Sequence, residues 1–378
     1  MAINKISYEF ICDIKEEYTA CPAVVINDPV SGMEYRYMNI NGTPAIKGYV
    51  TQQSWNSIGT KFLVADYDRR LYEYDTETEK LRFLDYVNCA ETKERYSSIN
   101  AVPTPDDMIY YLNGENLYCI DWNTYKKYLV CPLPKGCRDI GVMSVTNNGE
   151  YISGYYNGDS GDNRIVRLNC KTGELDVNLY KDFSYNPDTM GVGHPLINPV
   201  YPDLMFFCHE GQTQRIPDRL WLANAATGEM YNMFIQGLRD DGNSGECSGH
   251  EVWGMDGEYM YFVKYAVEEN TGKRGIMRIP KEGDAKGREY LTDDFDYWHC
   301  YPSSDNKLVS GDTAKGEVAL TNLETGKSTL LAKFSYADWW HPNHPHPVIS
   351  YNNKSINWQM INTGSVIGVA WMDIREFF

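Results

Sequence analysis

The stretch GMDGEYMYFVKY (254–265) sets a polar turn directly in front of an apolar strand, and the same unit recurs along the whole chain. With this copy, seven stretches share the pattern, the other six being NSIGTKFLVADYD (56–68), TPDDMIYYLNG (104–114), TNNGEYISGYY (146–156), VYPDLMFFCHEG (200–211), SSDNKLVSGD (303–312) and YNNKSINWQM (351–360). Their turns follow one another every 42–54 residues, close to the length of a four-stranded propeller blade. A second strand pair with a short polar turn follows most copies, as in VALTNLETGKSTLLA (318–332).

The repeat predicts an all-β fold in which residues 1–378 form a single seven-bladed β-propeller domain. The last copy ends early, at VIGVAWMDI (366–374), whereas AVVINDPVSGMEYRYMN (23–39) is an extra hairpin near the N-terminus. We therefore expect a strand of this N-terminal segment to complete the last blade. The alternative, a β-sandwich, gives no reason for a sevenfold repeat.

The charge balance is strongly acidic, with 35 Lys and Arg against 52 Asp and Glu and a formal net charge of −17. This argues against nucleic acid and anionic membranes as partners, because both need a basic surface. The sequence has no run of about 18 apolar residues, so no membrane span is predicted. The segment MAINKISYEFICDIKEE (1–17) has charges where a signal peptide needs apolar residues. Ten scattered cysteines without a CxxC motif fit the same expectation, a cytoplasmic protein.

The seven histidines are confined to the second half of the chain, between positions 194 and 346. Four of them precede the repeat turn by a similar number of residues: His194, His250, His299 and His346. That position falls on the innermost strand of a blade, which lines the central channel. We therefore expect imidazoles from four consecutive blades to converge into a functional centre.

The segment HPNHPHP (341–347) carries three of the histidines within six residues. On an extended strand His344 and His346 point to one face, and His341 can reach the same place from the preceding turn. Together with His299, one blade earlier, they form a nitrogen-rich site suited to a divalent transition metal.

Two further segments, CHEGQTQRIPDRLW (208–221) and GHEVW (249–253), combine histidines, arginines and carboxylates. Arginine binds carboxylates through two parallel hydrogen bonds, and a neutral histidine can remove a proton. We interpret Glu210 and Glu251 as groups that orient histidines. Three side chains are expected to bind substrate: His194, His209 and Arg215.

These motifs resemble those of the oligogalacturonate lyases, a family of cytoplasmic bacterial polysaccharide lyases with a seven-bladed propeller. Five segments carry the resemblance: GHPLINPVYPDLMFFCHEG (193–211), DRLW (218–221), GHEVW (249–253), WHCYPSSDNKLVSGD (298–312) and HPNHPHP (341–347). The resemblance implies a manganese ion held by His299, His344 and His346. At the position of the family's fourth ligand, a glutamine, this chain has His341.

The resemblance also implies His250 as the catalytic base and Arg219 as the arginine that binds the substrate carboxylate. The expected activity is β-elimination on short oligogalacturonates, the breakdown products of pectin, to give unsaturated uronates. An apparent insertion around LRDDGNSGE (238–246) keeps a lyase for another uronate oligosaccharide as an alternative. A second alternative is a propeller that binds sugar or protein without catalysis.

Overall fold

The computed structural model describes residues 8–91, 96–135, 137, 144–157, 163–237, 239–242, 244–265, 274–334, 344–361 and 366–378. Its N-terminal segment contains four short strands: β1 (Glu9–Asp13), β2 (Tyr18–Ala20), β3 (Val24–Asn27) and β4 (Glu34–Met38). The first two blades and the hairpin between them follow: β5 (Lys61–Ala65), β6 (Arg70–Asp75), β7 (Lys80–Tyr86), β8 (Cys89–Glu91), β9 (Tyr96–Ile99), β10 (Ala101–Pro103), β11 (Met108–Asn113), β12 (Asn116–Asp121) and β13 (Lys126–Pro132).

Blades three to six are four-stranded antiparallel sheets built from consecutive strands. Blades three and four comprise β14 (Ser144–Val145), β15 (Tyr151–Asn157), β16 (Asn163–Asn169), β17 (Glu174–Leu179), β18 (Thr189–Ile197), β19 (Leu204–Gly211), β20 (Leu220–Asn224) and β21 (Met230–Asn232). Blades five and six comprise β22 (Ser248–Trp253), β23 (Tyr259–Lys264), β24 (Gly275–Pro280), β25 (Glu289–Thr292), β26 (Tyr297–Pro302), β27 (Leu308–Thr313), β28 (Glu317–Asn322) and β29 (Lys327–Lys333).

The seventh blade joins the two ends of the chain. Its C-terminal strands are β30 (Val348–Ile349), β31 (Ser355–Ile361) and β32 (Ile367–Asp373), and β4 pairs with β32 as the fourth strand. The Tyr37 hydroxyl donates a hydrogen bond of 2.8 Å to the Val366 carbonyl, 329 positions away along the chain. The predicted seven-bladed propeller is confirmed, and so is its closure by an N-terminal strand.

The remaining N-terminal strands lie on the outer edges of blades. β1 adds to blade two, β2 to blade one and β3 to blade seven. The inner edge of blade one is irregular and is bridged at Ile46–Ala65 and Trp55–Phe62. Helix is limited, among the described residues, to two three-residue 3-10 turns, Asp284–Lys286 and Arg375–Phe377. In the part of the chain that the structure describes, no helix is long and apolar enough to cross a bilayer.

The repeated polar turns connect the innermost strand of a blade to the next strand. Gly59 and Gly257 hold φ at +68° and +72° in these turns, a region that glycine enters without a steric penalty. Aromatic rings then fasten neighbouring blades together: Trp371 of blade seven lies 5.6 Å from the Phe62 ring of blade one and 5.2 Å from that of Tyr74. The apolar contacts between blades hold the innermost strands around a common axis.

Candidate active site

Histidines from successive blades meet at the inner ends of their strands. His194 lies in β18, His250 in β22 and His299 in β26, while His346 lies two residues before β30. The hydrogen-bond ladders of β18 and β22 are interrupted at the histidine. The backbone φ angles of His194, His250 and His346 are positive, at +46°, +57° and +47°. Such values are uncommon for residues other than glycine and often mark functional sites. The local backbone departs from regular pairing where it presents these imidazoles.

Three buried histidines form a group that fits a metal ion. One nitrogen from each of His299, His344 and His346 lies within 4.8 Å of the others. The carboxylate of Asp312, directly across the ladder from His299, accepts a hydrogen bond of 2.8 Å from its Nδ1. Asp312 also accepts a bond of 2.9 Å from the backbone N–H of His346. A carboxylate behind a ligating histidine fixes its tautomer, and here it directs the Nε2 lone pair of His299 away from Asp312.

A second group, His194, Cys208 and Glu210, also brings three potential ligand atoms within 4.8 Å. Burial holds the pKa of the Cys208 thiol well above its ordinary value, with Glu210 acting in the same direction. Because metals bind the thiolate rather than the thiol, this group is a poor metal site. The three-histidine group is therefore the better candidate.

Arg219 is enclosed by two carboxylates at the wall of the site. Its Nε donates to Glu251 Oε1 at 2.8 Å and its Nη1 donates to Glu210 Oε2 at 3.2 Å. Burial opposes ionisation of Glu251, but Arg219 holds the pKa of this carboxyl well below its usual range. Both carboxylates also lie near His194, with Glu210 at 3.5 Å and Glu251 at 3.6 Å. The ion pairs use Nε and Nη1, so Nη2 is the nitrogen that can meet a substrate carboxylate.

His250 stands beside the three-histidine group. Its ring centroid lies 4.1 Å from that of His299 and 5.4 Å from that of Trp298. The Tyr265 hydroxyl is hydrogen-bonded to His250 Nδ1. Burial, reinforced by His299, holds the pKa of His250 well below its ordinary value, so the imidazole is neutral near pH 7. A neutral imidazole held by one nitrogen can accept a proton at the other.

Arg219 and His250 line one cleft of about 430 Å³, a volume typical of small-ligand sites. The three-histidine group lies next to His250 but is not part of the lining. The sequence-predicted residues that line the cleft are His194, Glu210, Arg219 and His250. Sequence reasoning missed other lining residues, and also the carboxylate that orients His299: Tyr49, Tyr265, Arg274, Trp298 and Asp312.

The structure does not bring His209 and Arg215 into the cleft lining. The His209 ring is buried against Phe183, with ring centroids 3.8 Å apart. Its nitrogens are hydrogen-bonded to Asp218 and Thr189, each at 2.9 Å. The Arg215 side chain is 56% exposed, with Asp188 as its ion-pair partner at 3.8 Å. We leave both out of the proposed site. His341 lies outside the described residues, so its role as a ligand stays a prediction.

The fold and the site together define a class of protein, namely seven-bladed β-propellers with a histidine-rich centre and an arginine–carboxylate wall. The family model for oligogalacturonate lyase matches residues 149–336, about half of the chain. An oligogalacturonide lyase of Pectobacterium atrosepticum is 25% identical over 66% of this chain and 71% of its own length. An oligogalacturonate lyase of Dickeya dadantii is 21% identical over 87% of this chain and 90% of its own.

The chain belongs to the oligogalacturonate lyase family. Two solved structures share the fold. One is an oligogalacturonate lyase in complex with manganese, with a TM-score of 0.78, 19% identity and coverage of 97% of this chain and 99% of that one. The other, from Vibrio parahaemolyticus, has a TM-score of 0.78, 18% identity and coverage of 96% and 100%.

Proposed function

We propose that this protein is a metal-dependent lyase that cleaves short oligogalacturonates by β-elimination, releasing unsaturated uronates. The observation that carries the proposal is the placement of His250 and Arg219 in one cleft, with His250 next to the three-histidine group. Family membership supports the substrate class. We further propose manganese as the ion, because a family relative was solved with it and imidazole nitrogens accept it.

His299, His344 and His346 would hold the ion, which would neutralise and polarise the uronate carboxylate. Arg219 donates a hydrogen bond to the same carboxylate through Nη2, so charge developing there is stabilised when the C5 proton leaves. His250 accepts this proton at Nε2 while its Nδ1–H stays hydrogen-bonded to the Tyr265 hydroxyl. The C5–H electron pair forms the C4–C5 double bond, the C4–O bond breaks, and the departing oxygen recovers a proton from solvent.

The test of this function is the ultraviolet absorbance of the unsaturated product, measured on digalacturonate with and without added manganese. Turnover that requires the ion supports the proposal. Cleavage of a different uronate oligomer in preference to oligogalacturonate would favour the first alternative. Binding of sugar without any product would favour a non-catalytic propeller.

We also propose that residues 1–378 act as one propeller domain in the cytoplasm. Support for the compartment comes from the cysteines: all ten are free thiols, and nine of them are at least partly buried. Disulfides are typical of oxidising compartments, so a chain with ten unpaired thiols fits a reducing one.

Replacing Arg219 with alanine is expected to weaken both substrate binding and stability. The substitution strands the fully buried Glu251 carboxylate, and breaking a buried ion pair costs about 3–5 kcal/mol. Arg219→Lys should restore part of the stability but not the binding, because an ammonium group cannot reproduce the guanidinium fork. Calorimetry with digalacturonate and urea unfolding measure the two effects.

Arg215→Ala is the matched control, since this arginine lies four residues earlier and its side chain is largely exposed. We expect its unfolding free energy to change by less than about 0.5 kcal/mol and its substrate affinity to stay near that of the wild type. Equal loss of affinity in both variants would contradict the assignment of Arg219.

A further inference from the structure

The cleft contains a second guanidinium group, Arg274, which none of the sequence motifs includes. It directly precedes β24 and lines the cleft together with Arg219. Its central carbon lies 5.3 Å from the Tyr265 ring centroid and 5.5 Å from that of Trp298. Both distances are within the range of cation–π attraction. Two aromatic rings that flank His250 thus also hold this cation.

Arg274 has hydrogen-bonding capacity that the described residues do not use. Its Nη1 donates to Asp296 Oδ1 at 2.9 Å, and that carboxylate also faces Lys315 at 3.7 Å. Its Nε is buried and has no hydrogen-bond partner among the residues that the structure describes. Leaving a buried donor unpaired is costly, so this edge of the guanidinium suits an incoming acceptor. A carboxylate matches it best, because its two oxygens can accept from Nε and Nη2 side by side.

The charges in the cleft also call for a second cation. Arg219 is bonded to both Glu210 and Glu251, so this group of three carries a formal charge of −1. A substrate with a carboxylate on every ring would meet that negative charge with each unit it places in the cleft. Arg274 is the other guanidinium in the described lining, and its own acidic partner is shared with Lys315.

We propose that Arg274 binds the carboxylate of the uronate next to the one that loses its C5 proton, so that the site recognises two adjacent uronates. This inference rests on the proposed function. It assigns Arg219 and Arg274 to different rings of the substrate. The enzyme then selects against oligomers in which the neighbouring sugar is neutral, as in an esterified pectin fragment.

The experiment pairs the arginine with the carboxylate it is said to bind. Wild type, Arg274→Gln and Arg278→Gln are each assayed for kcat/KM on digalacturonate and on digalacturonate methyl-esterified only at its non-reducing unit. Arg278 is the control, because it lies in β24, the strand that Arg274 directly precedes, but pairs with Glu289 at 2.7 Å and does not line the cleft. Binding of both ligands is measured by calorimetry on the same proteins, and their folding by thermal unfolding.

In wild type and Arg278→Gln, the ester should lower kcat/KM by about 10- to 100-fold, the range for a charge-assisted hydrogen bond. In Arg274→Gln, the two substrates should differ by less than about threefold. If the ester costs Arg274→Gln as much as it costs the wild type, Arg274 does not bind this carboxylate and the inference is overturned. A misfolded Arg274→Gln is replaced by Arg274→Met, which also removes the charge and to which the same comparison applies. Wild-type protein that cleaves and binds neither substrate overturns the proposed function along with the inference.

Discussion

Alanine at position 250 should leave a folded, metal-loaded protein that has lost turnover. Loss of a general base typically lowers the rate by about 10²–10⁴-fold. His250 is the imidazole that lines the cleft beside the three-histidine group while its Nδ1 is hydrogen-bonded to Tyr265. The loss should fall on kcat, with KM little changed, because proton abstraction occurs only in the transition state. Initial rates on digalacturonate, metal content and thermal unfolding are the three measurements.

His209→Gln provides the contrast for this experiment. His209 is a buried histidine of β19 in the adjacent blade, but its contacts are Phe183, Asp218 and Thr189. We expect this variant to lose stability and to keep its kcat per folded molecule. Near-native turnover in His250→Ala would move the base elsewhere. His194, whose side chain is 33% exposed and lines the cleft, would then be the first candidate.

His344→Ala should abolish metal binding and, with it, activity. It removes one of three buried imidazoles whose nitrogens lie within 4.8 Å of one another. Removing one of so few ligands leaves an incomplete set, and metal affinity depends on ligand number. Elemental analysis should find about one divalent ion per chain in the wild type, as for a single site, and almost none in the variant. Excess manganese should restore little activity.

His194→Ala distinguishes the two possible metal sites. This residue belongs to the group with Cys208 and Glu210, which also brings its ligand atoms within 4.8 Å. We expect the variant to retain the ion, because the three-histidine group is intact. Metal loss in His194→Ala together with full occupancy in His344→Ala would assign the ion to the other group.

Much of the architecture could be read from the sequence because each blade repeats the same turn and strand pattern. The shared phase of the histidines followed from the same repeat, and the structure brings His194, His250, His299 and His346 to the inner ends of four blades. Asp312 was within reach of the same reasoning. In the hairpin of β26 and β27, counting outward from the turn places Asp312 opposite His299.

Other contacts could not be predicted from spacing alone. His209 and Glu210 are consecutive residues of a strand, so they face opposite sides of the sheet, and Glu210 is the one that lines the cleft. The motif gave no indication of which one that would be. Tyr265 reaches His250 because the ladder between β22 and β23 is irregular after Gly249. Arg274 lies just outside β24, where no repeat position defines its direction.

The pairing of β4 with β32 has a consequence for how this protein is made. The two strands are far apart along the chain, with Met38 paired to Val369, so β4 is synthesised long before β32. The ring therefore cannot close on the ribosome until β32 has emerged, and β4 has to wait with one strand edge unpaired. Because contacts this distant in sequence are slow to form, circularisation of the propeller is expected to be the late step of folding. During that interval the unpaired strand edges of the seventh blade are where partly folded chains are most exposed to aggregation.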